Sequence, residues 1–234
     1  MGRKKKLLRF ADMQKFPNAF EPEMEAFFDR AIGGVKRHPL AGNWNSQVFK
    51  NNHPIVLELG CGKGEYSVGM GRKFPNKNFI GMDIKGARIW FGAKEALETG
   101  LKNVAFLRTR IDFISAFFAE GEVDEIWITF PDPQERENRA RKRLTSKLFI
   151  DRYRQFLKPN GLIHLKTDSA FLYNFTLDEV NLYGYELVDH TPDLYGSSIE
   201  KYDLDTQEIL NIKTYYEGVF TEKGHIITYI KFRV

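Results

Sequence analysis

The chain has 234 residues, 42% of them hydrophobic, which is enough for one large domain with a sizeable core. No apolar run approaches the ~20 residues needed to cross a bilayer, and the basic N-terminus lacks the features of a secretory signal. A single cysteine, Cys61, excludes an internal disulfide and a multi-cysteine metal site. We therefore expect a cytoplasmic protein without a membrane segment.

The basic residues are clustered more than the net charge suggests. There are 35 Lys and Arg residues against 31 Asp and Glu residues, and this net charge of +4 is a mild bias. Basic side chains concentrate at residues 3–9 and again at residues 136–143. Two clusters allow a polyanion such as RNA to be held at two points. The alternative is a solvated tail and a solvated loop.

Short apolar runs alternate with helical patterns from residue 55 onward, whereas residues 1–50 form a basic and aromatic arm without sustained periodicity. We predict strands at 55–59, 78–83, 104–107, 125–130, 162–165, 185–188 and 226–232. Helices are expected at 63–73, over a stretch that includes 89–97 and stops at Gly100, from about 146 to a stop at 159–161, and along 209–220. Residues 51–234 would form one domain, with a loop insertion near 189–206.

Strands that alternate with helices indicate a mostly parallel sheet covered by helices on both faces. Ligands of such sheets bind beyond the carboxyl ends of the strands. Four aspartates, Asp83, Asp112, Asp132 and Asp168, each come shortly after a predicted strand. We therefore expect these four carboxylates to meet at one edge of the sheet.

A glycine-rich loop, residues 60–64, follows the first of these strands and opens a helix. Its G-x-G-x-G pattern differs from the G-x-G-x-x-G of dinucleotide sites, which disfavours NAD. Asp83 can accept hydrogen bonds from both hydroxyls of a ribose, Glu58 can hold a cationic amino group, and Asp112 can lie beside a purine. S-adenosylmethionine has these groups and no phosphate. The structural alternative is a glycine turn packed under a helix.

The stretch Phe130-Pro131-Asp132-Pro133-Gln134-Glu135 follows a buried strand and precedes the second basic cluster. Proline fixes φ, so Asp132 is presented on a stiff turn next to cations. This pattern indicates the edge of an active site, and a simple turn is the alternative.

With both motifs in view, the chain resembles the bacterial tRNA (guanine-N7)-methyltransferase family. The most specific parts of the resemblance are Phe130-Pro131-Asp132-Pro133, Lys166-Thr167-Asp168 and Thr214-Tyr215-Tyr216-Glu217. It implies a Rossmann-like class I methyltransferase fold, a seven-stranded sheet whose last strand is reversed. It also implies methyl transfer from S-adenosylmethionine to N7 of a guanine in the tRNA variable loop, at conventional position 46.

The resemblance also implies roles for individual residues. Cofactor contacts are expected from Glu58, Gly60, Gly62, Asp83, Asp112 and Asp132. Contacts with tRNA are expected from Arg136, Asp168, Thr214, Tyr215, Tyr216 and Glu217. Asp132 is the expected catalytic acid position, and Asp168 and Glu217 are expected to read the base. If 214–217 is helical, Thr214 and Glu217 share a face opposite the core residue Val219.

The chain departs from the family pattern in the loop after Asp132. Gln134 and Glu135 stand where the family usually has Trp and Pro, Arg136 stands in place of a Lys, and Arg139 in place of a His. Lys and Arg do not make equivalent contacts with phosphates or bases, so these changes affect the role that the resemblance implies for the loop. The carboxylates are unaffected.

Three other functions are compatible with parts of the sequence. They are methylation of an adenine amino group or a small molecule, RNA binding without catalysis, and NAD-dependent oxidation. The turn at Asp132 lacks the second adjacent proline and the aromatic residue of many amino-group methylases. The five histidines show no metal-ligand spacing, so no metal is expected. We expect no obligate protein partner, and a monomer or a simple homo-oligomer.

Overall fold

A mostly parallel sheet of eight strands forms the centre of this computed structural model, which describes residues 3–23, 28–29, 34–196 and 199–234. Its strands are β1 (Ala19–Phe20), β4 (Ile55–Leu59), β5 (Asn78–Asp83), β6 (Val104–Arg108), β7 (Val123–Thr129), β8 (Leu157–Thr167), β9 (Glu186–Thr191) and β10 (Thr228–Arg233). The strand order is β1-β6-β5-β4-β7-β8-β10-β9, and only the pairings of β10 are antiparallel. A separate antiparallel pair joins β2 (Phe28–Asp29) to β3 (Gly34–Val35).

Seven α-helices accompany the sheet: α1 (Arg3–Met13), α2 (Glu65–Lys73), α3 (Gly86–Glu98), α4 (Lys147–Tyr153), α5 (Ala170–Leu182), α6 (Leu204–Leu210) and α7 (Tyr215–Glu222) among the described residues. Shorter helical turns lie at Trp44–Phe49, Ile111–Ala116, Glu137–Lys142 and Ile199–Lys201. No described helix has the length and apolarity that a bilayer crossing requires.

Both faces of the sheet are buried. Leu57 belongs to one hydrophobic cluster with Trp44 and Ile150, whereas its neighbour Val56 belongs to a second cluster with Tyr66 and Ile89. Successive residues of a strand point to opposite faces, so these clusters lie on the two sides of the sheet. The continuous apolar runs of the central strands follow from this double burial.

The fold class predicted from sequence is confirmed, including the reversed last strand, but the sheet has eight strands where seven were expected. The extra strand is β1, whose two residues pair with β6 at the edge of the sheet. A two-residue strand has no detectable periodicity.

The helix expected from 146 to a stop at 159–161 ends at Tyr153. Residues 157–161 belong to β8 instead, because Leu157 pairs with Val123 of β7.

Other differences lie nearer the two ends of the chain. Residues 3–13 of the arm form α1, and the Arg9 guanidinium lies 5.0 Å from the centre of the Trp90 ring on α3. The single helix expected along 209–220 is two helices, α6 and α7, separated at 211–214. The region expected as a loop at 189–206 contains the end of β9 and the start of α6, which the Asp203 side chain caps. The division into an arm at 1–50 and a domain at 51–234 stays a prediction.

Candidate active site

Two adjoining cavities form a cleft beyond the carboxyl ends of β4, β5, β6 and β7. The larger one, of about 510 Å³, is lined by Gly60, Asp83, Asp112 and Asp132 among others. The smaller one, of about 240 Å³, includes Glu58, Gly60, Gly62 and Thr214. Both are lined by Gly60, Arg88 and Phe130. The structure therefore brings the predicted cofactor residues into one cleft, while their roles stay predictions.

The glycine loop has a backbone conformation that residues other than glycine rarely adopt. Gly60 and Gly62 have φ values of 77° and 56°, in the left-handed region. A Cβ at Gly60 would meet no atom within 4 Å, so the loop borders open space of the cleft. Gly64 has a different role, because a Cβ there would lie 2.5 Å from the Phe106 ring. The first two glycines thus shape the cleft, and Gly64 allows α2 to approach the sheet.

The Asp83 carboxylate is fixed by backbone donors at the end of β5. The Gly62 N–H donates to its Oδ2 at 3.0 Å, and the Lys85 N–H donates to its Oδ1 at 2.8 Å. Each oxygen keeps acceptor capacity for a further bond. A carboxylate held in this way can bind two hydroxyl groups without reorganising.

Glu58 is buried on β4 and holds its carboxyl in a network of donors. Ser67 donates to Oε2 through its N–H at 2.8 Å and its hydroxyl at 2.5 Å, and the Thr129 hydroxyl donates to Oε1 at 2.8 Å. Burial raises the pKa of Glu58 to about 7, against the opposing effect of these hydrogen bonds. A cationic group bound at this carboxyl would lower the pKa again.

Asp112 follows β6 and is held by two arginines. Arg110 donates to its Oδ2 at 3.0 and 3.2 Å, and the Arg152 Nη1 lies 3.6 Å from Oδ1. These contacts orient the carboxylate on the wall of the larger cavity.

The loop after β7 presents Asp132 to solvent through two strained residues. Phe130 and Gln134 have φ values of 46° and 47°, a conformation uncommon for residues other than glycine. The Gln134 N–H donates to the Asp132 Oδ1 at 3.1 Å, which fixes the exposed carboxylate on its turn. Strain at these positions is typical of functional loops.

Arg143 holds the loop after β7 from the interior of the protein. Its side chain is buried and donates to the carbonyl oxygens of Gln134 and Glu135, at 3.2 Å each. The guanidinium lies 4.6 Å from the ring of Phe171 and 4.4 Å from that of Phe175. Arg143 is therefore a structural member of the basic cluster, in contrast to the exposed Arg136, Arg139, Arg141 and Lys142.

The predicted tRNA residues are spread over the rim and the interior. Arg136 is exposed on the turn before the helical turn Glu137–Lys142. Asp168 is half-buried, with its Oδ2 3.7 Å from the His225 Nδ1. Thr214 lines the smaller cavity, and Tyr215 is exposed. The Tyr216 side chain lies outside the described part of the structure.

Glu217 is the one predicted base reader that the structure places in the interior. Its carboxylate accepts from the Lys166 Nζ at 2.9 and 3.1 Å and from the Tyr195 hydroxyl. Glu217 is fully buried, so the prediction that the face it shares with Thr214 lies opposite the core is wrong. Thr214 and Glu217 instead form a capping box, in which the Glu217 N–H donates to the Thr214 Oγ1 at 3.1 Å.

Several residues that support the site were not predicted from the sequence. Lys166 holds Glu217, Ser67 and Thr129 hold Glu58, and Arg88 lines both cavities. Lys166 directly continues the predicted strand 162–165, and this position is a detectable signal because a buried charge needs a partner. The sequence does not reveal which carboxylate supplies it.

Known proteins match this chain over nearly its whole length. A family model described as "Putative methyltransferase" matches residues 52–229. A tRNA (guanine-N(7)-)-methyltransferase of Bacteroides thetaiotaomicron is 52% identical over 99% of this chain and 86% of that relative. The enzyme of the same name from Christiangramia forsetii is 49% identical over 100% of both chains. One from Streptococcus thermophilus is 37% identical over 80% of this chain and 83% of its own.

Solved structures share the fold at low sequence identity. The 16S rRNA methyltransferase KamB has a TM-score of 0.62 and 14% identity, covering 84% of this chain and 95% of that one. An antibiotic-related methyltransferase has a TM-score of 0.59 and 14% identity, covering 85% and 97%. These neighbours establish a class I methyltransferase fold and nothing narrower. The family model and the relatives show that this chain belongs to the tRNA (guanine-N(7)-)-methyltransferase family.

Proposed function

We propose that this enzyme transfers a methyl group from S-adenosylmethionine to N7 of a guanine in the variable loop of tRNA, at conventional position 46. The main support for this activity is the cleft at the ends of adjacent strands. It is lined by four carboxylates, those of Glu58, Asp83, Asp112 and Asp132. The names of the relatives supply the substrate and the atom.

The residues of the cleft fit S-adenosylmethionine, which supplies an electrophilic methyl group when bound. Asp83 has two oriented oxygens for the ribose hydroxyls. Glu58 has a buried carboxyl that gains from a nearby ammonium group, because burial otherwise penalises its ionised form. Asp112 lies on the wall of the larger cavity for the purine, and Gly60 leaves space for the ligand to pass close to the backbone.

The acceptor needs alignment more than proton transfer. Guanine N7 carries a lone pair and no proton, so no general base is required to expose the nucleophile. Placement of donor and acceptor at about 3 Å can supply several kcal/mol of the barrier reduction. The purine becomes cationic as the methyl arrives, and the Asp132 carboxylate at the cleft stabilises that charge. We assign Asp132 this electrostatic role.

Base selection falls to Asp168 in this proposal. A carboxylate accepts from the guanine N1–H and exocyclic amine, a donor pair that adenine does not offer. Asp168 is half-buried, with His225 beside it. Glu217 is committed to Lys166 and Tyr195, so we assign it the positioning of Thr214 and Tyr215 and not direct reading.

The tRNA backbone would be held by the exposed arginines and lysine of the second basic cluster, Arg136, Arg139, Arg141 and Lys142, together with the basic residues of α1. Phosphate contacts of this kind give a strong dependence of affinity on salt. We further propose that the enzyme acts in the cytoplasm as a monomer or a simple homo-oligomer.

The direct test is incubation with labelled S-adenosylmethionine and tRNA transcribed in vitro, which carries no modified bases. Chemical cleavage at 7-methylguanosine then maps the product. Label at one guanine of the variable loop supports the proposal. Label on adenine, label at other sites only, or no transfer to tRNA would overturn it.

A further inference from the structure

Four side chains form a continuous row of alternating rings and cations beside the cleft. The Lys63 Nζ lies 4.5 Å from the centre of the Tyr215 ring and 5.8 Å from that of Phe91. The Arg9 guanidinium lies 4.2 Å from the centre of the Phe91 ring. The row therefore runs Tyr215, Lys63, Phe91, Arg9, from α7 across the glycine loop and α3 to α1.

The row is open to solvent and begins at the cleft. The Phe91 side chain is 37% exposed and that of Tyr215 is 60% exposed. Lys63 lines the smaller cavity together with Glu58 and Thr214. Core packing therefore does not account for these two rings, although they are held in place by their neighbours.

Two carboxylates beside the row, those of Glu65 and Asp12, each accept a hydrogen bond. Glu65 accepts from the Tyr215 N–H at 3.2 Å, and Asp12 accepts from the Trp90 Nε1 at 3.2 Å. Within the described part of the chain, Lys63 takes part in no ion pair. Lys63 thus offers positive charge between the exposed rings of Phe91 and Tyr215, which suits a ligand with both phosphates and flat rings.

We propose that this row binds the unpaired nucleotides that flank the target guanine in the tRNA, with bases stacked on Phe91 and Tyr215 and phosphates on Lys63 and Arg9. Aromatic rings stack on any base, and interleaved cations follow the backbone, which is how single-stranded nucleic acid is held without sequence readout. The inference rests on the proposed function, because it takes tRNA as the substrate. It adds Lys63 and Phe91 to the residues that contact tRNA, and it gives Arg9 of α1 a specific place among them.

The row also explains how a variable-loop guanine reaches the cleft. A base that is methylated inside a cleft must leave its stack, and unstacking costs a few kcal/mol. Stacking of the neighbouring bases on Phe91 and Tyr215 would offset that cost. The row therefore couples tRNA binding to presentation of the target base.

The test is equilibrium binding of unmodified tRNA to the intact protein, measured without turnover, together with calorimetric binding of S-adenosylmethionine. Phe91→Ala and Tyr215→Ala should each weaken tRNA binding by about tenfold, within the range for loss of one stacked base. Phe91→Trp should retain binding because it keeps a ring. Arg9→Gln and Lys63→Gln should each lower the slope of log affinity against log salt by about 0.7–0.9.

Matched controls come from the far side of the molecule. Leu187 on β9 is 41% exposed, a fraction similar to that of Phe91. Leu187→Ala should leave tRNA binding unchanged. Lys158 pairs with Asp124 at the opposite end of the strands, and Lys158→Gln should leave the salt slope unchanged. Thermal unfolding of each variant verifies that it is folded.

The outcomes separate the row from the proposed function. If Phe91→Ala and Tyr215→Ala bind tRNA with the same affinity as Leu187→Ala, the proposal that the row binds tRNA is wrong. Methylation by the wild type would still support the proposed function. If Phe91→Ala or Arg9→Gln weakens S-adenosylmethionine binding instead, the row serves the cofactor and the proposal is also wrong. If the wild type binds tRNA without forming 7-methylguanosine, the proposed function fails and the binding comparison still decides the row.

Discussion

Lys166 and Glu217 form a buried ion pair, with Nζ 2.9 Å from Oε1, that ties strand β8 to the first turn of α7. The Lys166 Nζ also donates to the carbonyl oxygen of Leu210, the last residue of α6, at 2.8 Å. Burial lowers the pKa of Lys166 to about 8, and Glu217 opposes that shift. The pair therefore fixes the segment between α6 and α7, where Thr214 reaches the cleft.

Breaking this pair should destabilise the protein strongly. Lys166→Met leaves the Glu217 carboxylate buried without its cation, and we expect a loss of about 3–5 kcal/mol in the free energy of unfolding. Lys166→Met/Glu217→Leu should recover most of it, because no buried charge remains. Urea unfolding measures both.

The exposed pair Lys158–Asp124 is the control, and Lys158→Met should cost at most about 1 kcal/mol. Equal losses for Lys166→Met and Lys158→Met would contradict the assigned role of the buried pair.

Binding of S-adenosylmethionine should weaken at acidic pH. The raised pKa of Glu58, about 7, means that the free protein carries this carboxyl protonated below that pH, whereas an ammonium ligand favours the ionised form. The dissociation constant should rise by up to about tenfold for each pH unit below 7. Calorimetry between pH 5 and 8 measures this dependence.

Glu58→Gln should bind weakly and lose the pH dependence, while Asp83→Asn should bind weakly and keep it. A wild-type affinity that does not vary across this range would show that Glu58 does not receive the cation.

Asp132→Asn should separate catalysis from binding. The amide keeps an oxygen for the Gln134 N–H, so the loop should hold its shape. Loss of the negative charge should lower kcat by about 10²–10³-fold, as for removal of one group that stabilises a developing charge. Single-turnover methylation of tRNA measures this, with thermal unfolding as the control for folding. Near-normal kcat would remove Asp132 from the charge-stabilising role.

Arg143 and Arg141 should behave differently although they are two residues apart. Arg143→Ala removes two hydrogen bonds to the loop and its contact with two rings, at a cost of about 2–4 kcal/mol in stability. Arg141→Ala should leave stability unchanged and reduce the salt dependence of tRNA binding. Unfolding curves and binding titrations distinguish them. Arg143→Lys should not restore stability, since an ammonium cannot reproduce the planar fork.

The central part of the fold could be predicted from sequence because its strands are buried on both faces. β4 and β5 have the predicted bounds, and those of β6 and β7 differ by one or two residues, because each strand contains a run of buried apolar side chains. The carboxylates Asp83 and Asp132 could be placed for the same reason, since the end of a parallel strand fixes the position of the next residue.

The features that the sequence did not predict share one cause, which is contact between residues distant in the chain. Glu217 looks like an exposed helix residue until Lys166, 51 residues earlier, is placed opposite it. Arg143 sits in a basic run, and only the later helix α5 provides the rings that bury it. Residues 19 and 20 become a strand because β6 presents an edge.

The most direct test of the whole account replaces the atom that is to be methylated. A tRNA with 7-deazaguanine at position 46 keeps the N1–H and exocyclic amine but has a carbon in place of N7. If N7 is the acceptor, this tRNA binds like the unmodified one and accepts no methyl group at that base. Transfer of label to the 7-deazaguanine nucleotide at the normal rate would contradict it.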